Sequence, residues 1–311
     1  MLSVRPYAPA DAGAWDATVA RSRNGNLLHR RGYMDYHADR FVDASLVVEK
    51  DGEVVAVFPA SADGAQVVSH GGLTYGGLIS TRALRAVAAL EVFERIAGHY
   101  RGRGTTRLLY KAVPHVFHAY PAEEDLYALH RLGAQLVRRD LSSVIALQEG
   151  FRFTDERRRA IAKAGKSGLR VESGGDLTAF HALLTEVLSA HGVAPTHSLA
   201  ELRLLQSRFP GEIVLHEVRD GDVLLAAALV YDLGPVAHTQ YLAASERGRQ
   251  RHALSLLLAG LIETVYAGKR HFSFGISTEQ GGRVLNDGLI EQKERFGARA
   301  VVHDFYQWEL A

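Results

Sequence analysis

The chain has 311 residues, 47% of them hydrophobic and 23% charged, with a formal charge of +1. That length suits two domains of about 150 residues, and the near-neutral balance argues against a dedicated nucleic-acid binder, so no DNA partner is expected. Cysteine is absent, which excludes disulfides, thiolate metal sites and a cysteine nucleophile and fits a reducing, cytoplasmic setting.

Met1 to Tyr7 lacks the cationic start and apolar core of a signal peptide. The longest apolar run, Ala253 to Ile262, ends at Glu263, well short of the ~20 residues that cross a bilayer. In chain order, Ser3 to Tyr7 reads as a strand, and Pro9 opens a helix in which Trp15 and Val19 share a face. A short helix carries Tyr33, Tyr36 and His37. Strands 44–48 and 53–58 flank Asp51-Gly52, a tight-turn pair. Strand 66–70, a glycine-rich segment around Tyr75, a helix over 82–101 and a strand over 106–113 follow.

Helix 123–132 and strand 135–147 lead to a break at Gln148-Glu-Gly150, which sets the expected boundary: domains 1–150 and 151–311. Thr154 to Lys166 is a basic helix, and Asp176 to His191 is amphipathic. Ser198 with Glu201 three residues on forms a capping box. Asp220-Gly-Asp-Val repeats Asp51-Gly-Glu-Val at an offset of 220 − 51 = 169, and Gly234 follows Gly64 at 234 − 64 = 170. One supersecondary unit used twice is the expectation. Strand 237–242 then feeds one long helix from Ser245 to about Tyr266, followed by strand 271–276.

A helix start after a strand presents free N–H groups to an anion. Arg247, Arg249 and His252 stand at such a start, although a small residue is usual where His252 lies. Arg159, Lys163 and Lys166 share one helix face at i, i+4 and i+7, a second anion candidate. His191, His197, His238 and His303 are candidate bases without metal-ligand spacing, and Glu186 is a candidate carboxylate. Tyr241, beside Gln240 at a strand end, is placed to touch an acyl carbonyl. Tyr75 among glycines suggests close approach of backbone to a ligand. Serine-hydrolase, NTPase and dinucleotide fingerprints are missing, and no metal is expected.

Several segments together resemble the FemAB-like branch of the GNAT superfamily. They are Arg157-Arg-Arg-Ala-Ile-Ala-Lys-Ala-Gly-Lys166, Pro195-Thr-His-Ser198, Phe274-Gly-Ile-Ser277 and Leu285-Asn-Asp-Gly-Leu289 with Gln292-Lys293 and Phe296-Gly297. The first half adds Thr74-Tyr-Gly-Gly-Leu78 and Tyr110-Lys111 with Pro114. The resemblance implies an α/β (α+β) fold of two tandem GNAT-like domains, each a mixed twisted sheet flanked by helices, with a cleft between them. It also implies transfer of an acyl group to an amine. The expected donor is acyl-CoA, as a co-substrate with no tightly bound cofactor. The expected acceptor is a sugar nucleotide or another cell-envelope or polysaccharide precursor. In the peptidoglycan-bridge branch the donor is aminoacyl-tRNA, which makes tRNA the alternative partner, and a pseudo-transferase that only binds ligand is a third reading. By resemblance Lys293 lies near phosphate. His197, Glu186 and Tyr241 are the expected catalytic set, and Tyr75, Lys111, Asn286 and Gln292 the expected acceptor contacts.

Overall fold

The structure is a computed structural model that describes residues 1–190 and 192–310, so the candidate base His191 lies outside the described residues. The chain divides into two compact units. The first comprises Met1–Leu141, Thr278–Val284 and the chain from Val301 onward; the second comprises Ser142–Ser277 and Leu285–Ala300. The expected division at 150 and 151 therefore differs from the structural one. The divide falls inside strands Gln135–Ala146 and Arg299–Glu309, where composition changes little.

Both units are mixed α/β, with mostly antiparallel sheets covered by helices. In the first unit, helix Ala86–Arg101 starts four residues later than expected and buries Ala89, Val92, Phe93, Ile96, Ala97 and Tyr100. That spacing is one face of a 3.6-residue period. The face packs with Leu46, Val48, Phe58, Tyr110 and Trp308 in one core. The glycine-rich segment is part of this interior, since Leu73, Tyr75 and Leu78 are all buried.

In the second unit the strand order is Val171–Ser173, Ile213–Asp220, Val223–Asp232, Val236–Ala244, His271–Ile276, then the Ser142–Ala146 end of the long strand. Every pairing is antiparallel except that of Val236–Ala244 with His271–Ile276. Strand Val223–Asp232 is buried along Leu225 to Tyr231, as expected for a central strand covered on both faces. Three helix starts are capped by the side chains of Thr154, Asp176 and Ser198, and Ser198 with Glu201 makes the expected reciprocal box.

The internal repeat appears in the backbone itself. Hairpin Lys50↔Glu53 carries a register shift between Val48 and Glu49; hairpin Asp220↔Val223 carries one between Val218 and Arg219. The offset is 218 − 48 = 170. It pairs Asp51, at φ 54°, with Gly221, at φ 58°, rather than with Asp220. The match of Asp220 to Asp51 is thus one position out, whereas Gly64 and Gly234, both at positive φ, keep the offset of 170. What the two hairpins share is the left-handed turn position, which Gly and Asp both tolerate.

Candidate active site

The site of interest forms where two parallel strands part. Val236–Ala244 and His271–Ile276 pair over three positions and stop at His238↔Ser273. Beyond that point Gly275 takes φ 75° and the strand's register with its other neighbour shifts. Positive φ at this bend is a conformation that glycine adopts without strain. On the facing strand Leu229 lies opposite Tyr241 and Val230 opposite Thr239, so Gln240 is the extra residue of a bulge.

Lys293 holds the bend open. Its Nζ donates to the carbonyls of Gly275 (2.9 Å) and Ile276 (2.7 Å) and to Ser277 Oγ (2.8 Å). An ammonium has three N–H donors, and all three are taken, which leaves none for a phosphate. Burial lowers its pKa to about 8.

Between the parted strands lies a cavity of about 430 Å³. Its walls are Leu242–Ala244, Leu254, Leu258, Phe274, Leu289 and Phe296. Arg157, Arg249, His252, Gln292 and Lys293 supply its polar groups, and no carboxylate lines it among the described residues. An apolar pocket with cations and no anions suits a molecule with an apolar arm and a phosphorylated end.

The helix above the cavity is not the single element expected. Ser245 caps a short helix Glu246–Gln250, with its Oγ accepting from the Gly248 N–H at 3.1 Å. The chain then breaks at His252, whose φ 57° and ψ 28° are left-handed, before helix Ala253–Gly260 and a wider turn Leu261–Val265. A non-glycine residue there costs about 1–2 kcal/mol. The expectation that a small residue suits this position is thus met in conformation, while the residue itself is histidine. Gly248 has another role: a Cβ built there would lie 1.9 Å from the Leu225 carbonyl oxygen. Its missing side chain lets the short helix press against the central strand.

The remaining candidates separate into groups. His197 Nδ1 and the Tyr241 hydroxyl share a 2.7 Å hydrogen bond, one residue before cavity-lining Leu242. Glu186 is exposed and borders none of the cavities described. Arg247 pairs with Asp220, and Arg249 with Glu246 and the Ala244 carbonyl. Arg159 and Lys163 border a second hollow with His252, whereas Lys166 borders neither. Gln292 lines the cavity and Asn286 caps helix Asp287–Glu294.

Tyr75 and Lys111 belong to the first unit and serve its interior. The Tyr75 hydroxyl accepts from Asn26 Nδ2 at 3.0 Å, and its ring packs on Phe117 at 4.9 Å. Lys111 Nζ donates to the Leu73 carbonyl, and burial lowers its pKa to about 7. His303 is likewise buried there, against the rings of Tyr75 and Phe117. His238 bonds Ser273 Oγ across the strand pair at 3.0 Å.

Arg157 is the site residue that sequence reasoning missed. Its Nη1 donates to Ser255 Oγ at 2.7 Å and its guanidinium lies 4.6 Å from the Phe296 ring centroid. Nε is buried without a hydrogen-bond partner among the described residues, and burial lowers the group's pKa. A half-buried guanidinium stacked on an aromatic and lacking a carboxylate is built to meet an anion. Its only signal in the sequence was membership of the basic run, in which Arg159 looked equivalent.

The family model described as "Acetyltransferase (GNAT) domain" matches residues 152–280. The structure named FemX is similar over 99% of this chain and 97% of its own, with a TM-score of 0.71 at 13% identity. L-PGS from Bacillus licheniformis is similar over 98% and 93%, with a TM-score of 0.64 at 12% identity. A tandem GNAT protein from the clavulanic acid biosynthesis pathway is similar over 100% and 99%, with a TM-score of 0.52 at 14% identity. These likenesses establish a shared fold. No curated protein matches the sequence. Among the described residues, no helix is long and apolar enough to cross a membrane.

Proposed function

We propose that this chain, whose residues 152–280 match a GNAT acetyltransferase domain, is an N-acyltransferase holding an acyl-CoA thioester in the cavity between the parted strands. The observation that carries this reading is the acid-free apolar cavity bordered by Arg157, Arg249 and His252. The pantetheine arm lies along Leu242, Leu258 and Phe274, and the phosphates meet the Arg157 guanidinium. The acceptor is a primary amine, and an amino-sugar nucleotide or cell-envelope precursor is the class that the resemblance implies.

In the reaction the amine nitrogen attacks the thioester carbonyl carbon, the C–S bond breaks and CoA leaves as its thiol. The proton lost by the amine balances the one gained by sulfur. His197, hydrogen-bonded to Tyr241, is the base of this reading, and exposed Glu186 is set aside. The oxyanion is met by the Tyr241 hydroxyl or by a strand N–H at the Gln240 bulge.

A second reading, an aminoacyl-tRNA donor, draws on the basic face of helix Asp155–Lys166, where Arg159, Lys163 and Lys166 are exposed. Thiol release from acetyl-CoA separates the two. Release that depends on an added amine, and falls at least tenfold in Arg157→Ala, supports the CoA reading. No release with any acyl-CoA, together with salt-sensitive tRNA binding, would replace it with the second.

A further inference from the structure

Beside the donor cavity lies a smaller hollow of about 280 Å³, bordered by Glu156, Arg157, Arg159, Ala160, Lys163 and His252. Arg157 and His252 border both spaces, so the two hollows meet at these side chains. We infer that this second hollow takes a phosphomonoester of the donor, the 3′-phosphate of CoA, on Arg159 and Lys163. The inference rests on the acyl-CoA reading and adds to it a specificity that the main cavity does not supply.

Arg158 pairs with Asp155, Arg247 and Arg251 with Asp220, Arg249 with Glu246, and Arg295 with Glu156 and Glu291. Arg157, Arg159 and Lys163 have no carboxylate partner among the described residues, and these three border the same hollow. Arg159 and Lys163 stand at i and i+4 on one helix, where like charges repel. The one acid at the hollow, Glu156, lies 3.5 Å from Arg295. A dianionic phosphate bridging Arg159 and Lys163 would turn that repulsion into two charge-assisted contacts. Helix Asp155–Lys166 packs along helix Ala253–Gly260, with Arg157 bonding Ser255, which fixes the face that carries both cations.

Isothermal titration with CoA and with 3′-dephospho-CoA tests the inference, using wild type and the double variant Arg159→Ala/Lys163→Ala. Both substituted side chains are exposed, and an unchanged Tm checks the fold. Wild type is expected to bind CoA at least tenfold more tightly than 3′-dephospho-CoA. The double variant is expected to bind both equally, at the wild-type affinity for 3′-dephospho-CoA. Equal affinities in wild type, or discrimination retained by the double variant, overturn the second phosphate site while leaving a CoA donor intact. Failure of both ligands to bind overturns the CoA donor and this site together.

Discussion

Acidification from pH 7 to pH 5 is expected to remove about 6 kcal/mol of folding stability and to unfold the first unit before the second. Among the described residues seven histidines are buried, and four of them carry most of the effect: His29, His70 and His303 in the first unit and His216 in the second. Burial depresses their pKa values to about 3 for His29 and His70 and about 4 for His303 and His216; His37 and Lys111 add to the effect at His70. His216 is held neutral between Ser173 Oγ and the Tyr266 hydroxyl, each at 2.8 Å.

Because these folded-state values lie below that of the unfolded chain, stability is fully present above pH ~6.5 and falls as pH drops toward the folded values. Each histidine loses about 2 kcal/mol by pH 5, or about 8 for the four. Asp125 acts in the opposite sense, since burial raises its pKa to about 6 beside the Tyr110 hydroxyl. It returns about 1–2 kcal/mol over the same interval. A net loss of about 6 kcal/mol is comparable with the whole stability of a domain. Urea unfolding followed by circular dichroism at pH 7, 6 and 5 measures the loss, and hydrogen exchange locates it. Stability that stays level between pH 7 and 5 would contradict the account.

The second large effect is expected from one added methyl group. Gly248→Ala places a Cβ 1.9 Å from the Leu225 carbonyl oxygen, a backbone atom of the central strand. Helix Glu246–Gln250 must then lift away, at a cost of about 3 kcal/mol or more, carrying Arg249 from the cavity wall. Both Tm and acetyl-CoA affinity fall. Gly98→Ala is the control, since nothing lies within 4 Å of its built Cβ in the last turn of helix Ala86–Arg101. It is expected to stabilise by about 0.5–1 kcal/mol. Thermal unfolding of the two variants side by side decides the matter, and equal Tm changes would remove the close packing from the argument.

Local features were legible because they are written in adjacent residues. Thr154, Asp176 and Ser198 announce helix starts, Asp51-Gly52 a hairpin, and the Trp15 and Val19 spacing a buried helix face. The two-unit fold followed from the repeat and the motifs. The discontinuous boundary did not, because Thr278–Val284 joins the first unit through contacts distant in sequence. The helix break at His252 was hidden, since a left-handed histidine has no pattern of its own. Arg157 and Arg159 are alike in sequence. Only packing against Ser255 and Phe296 turns one inward and leaves the other exposed. Lys293 stands out through its motif, yet its task depends on two carbonyls and a hydroxyl 16 to 18 residues away.

The central claim is that the donor occupies the cavity between the parted strands. Leu254, partly buried on its wall, offers a direct test: Leu254→Trp fills the space while leaving Arg157, Arg249 and His252 in place. At about 100 Kd, acetyl-CoA should stabilise the wild type by about 2.7 kcal/mol, a thermal shift of several degrees. The account predicts a saturable shift for wild type and none for Leu254→Trp at an unchanged ligand-free Tm. An equal shift in the filled variant would contradict it and place the donor elsewhere.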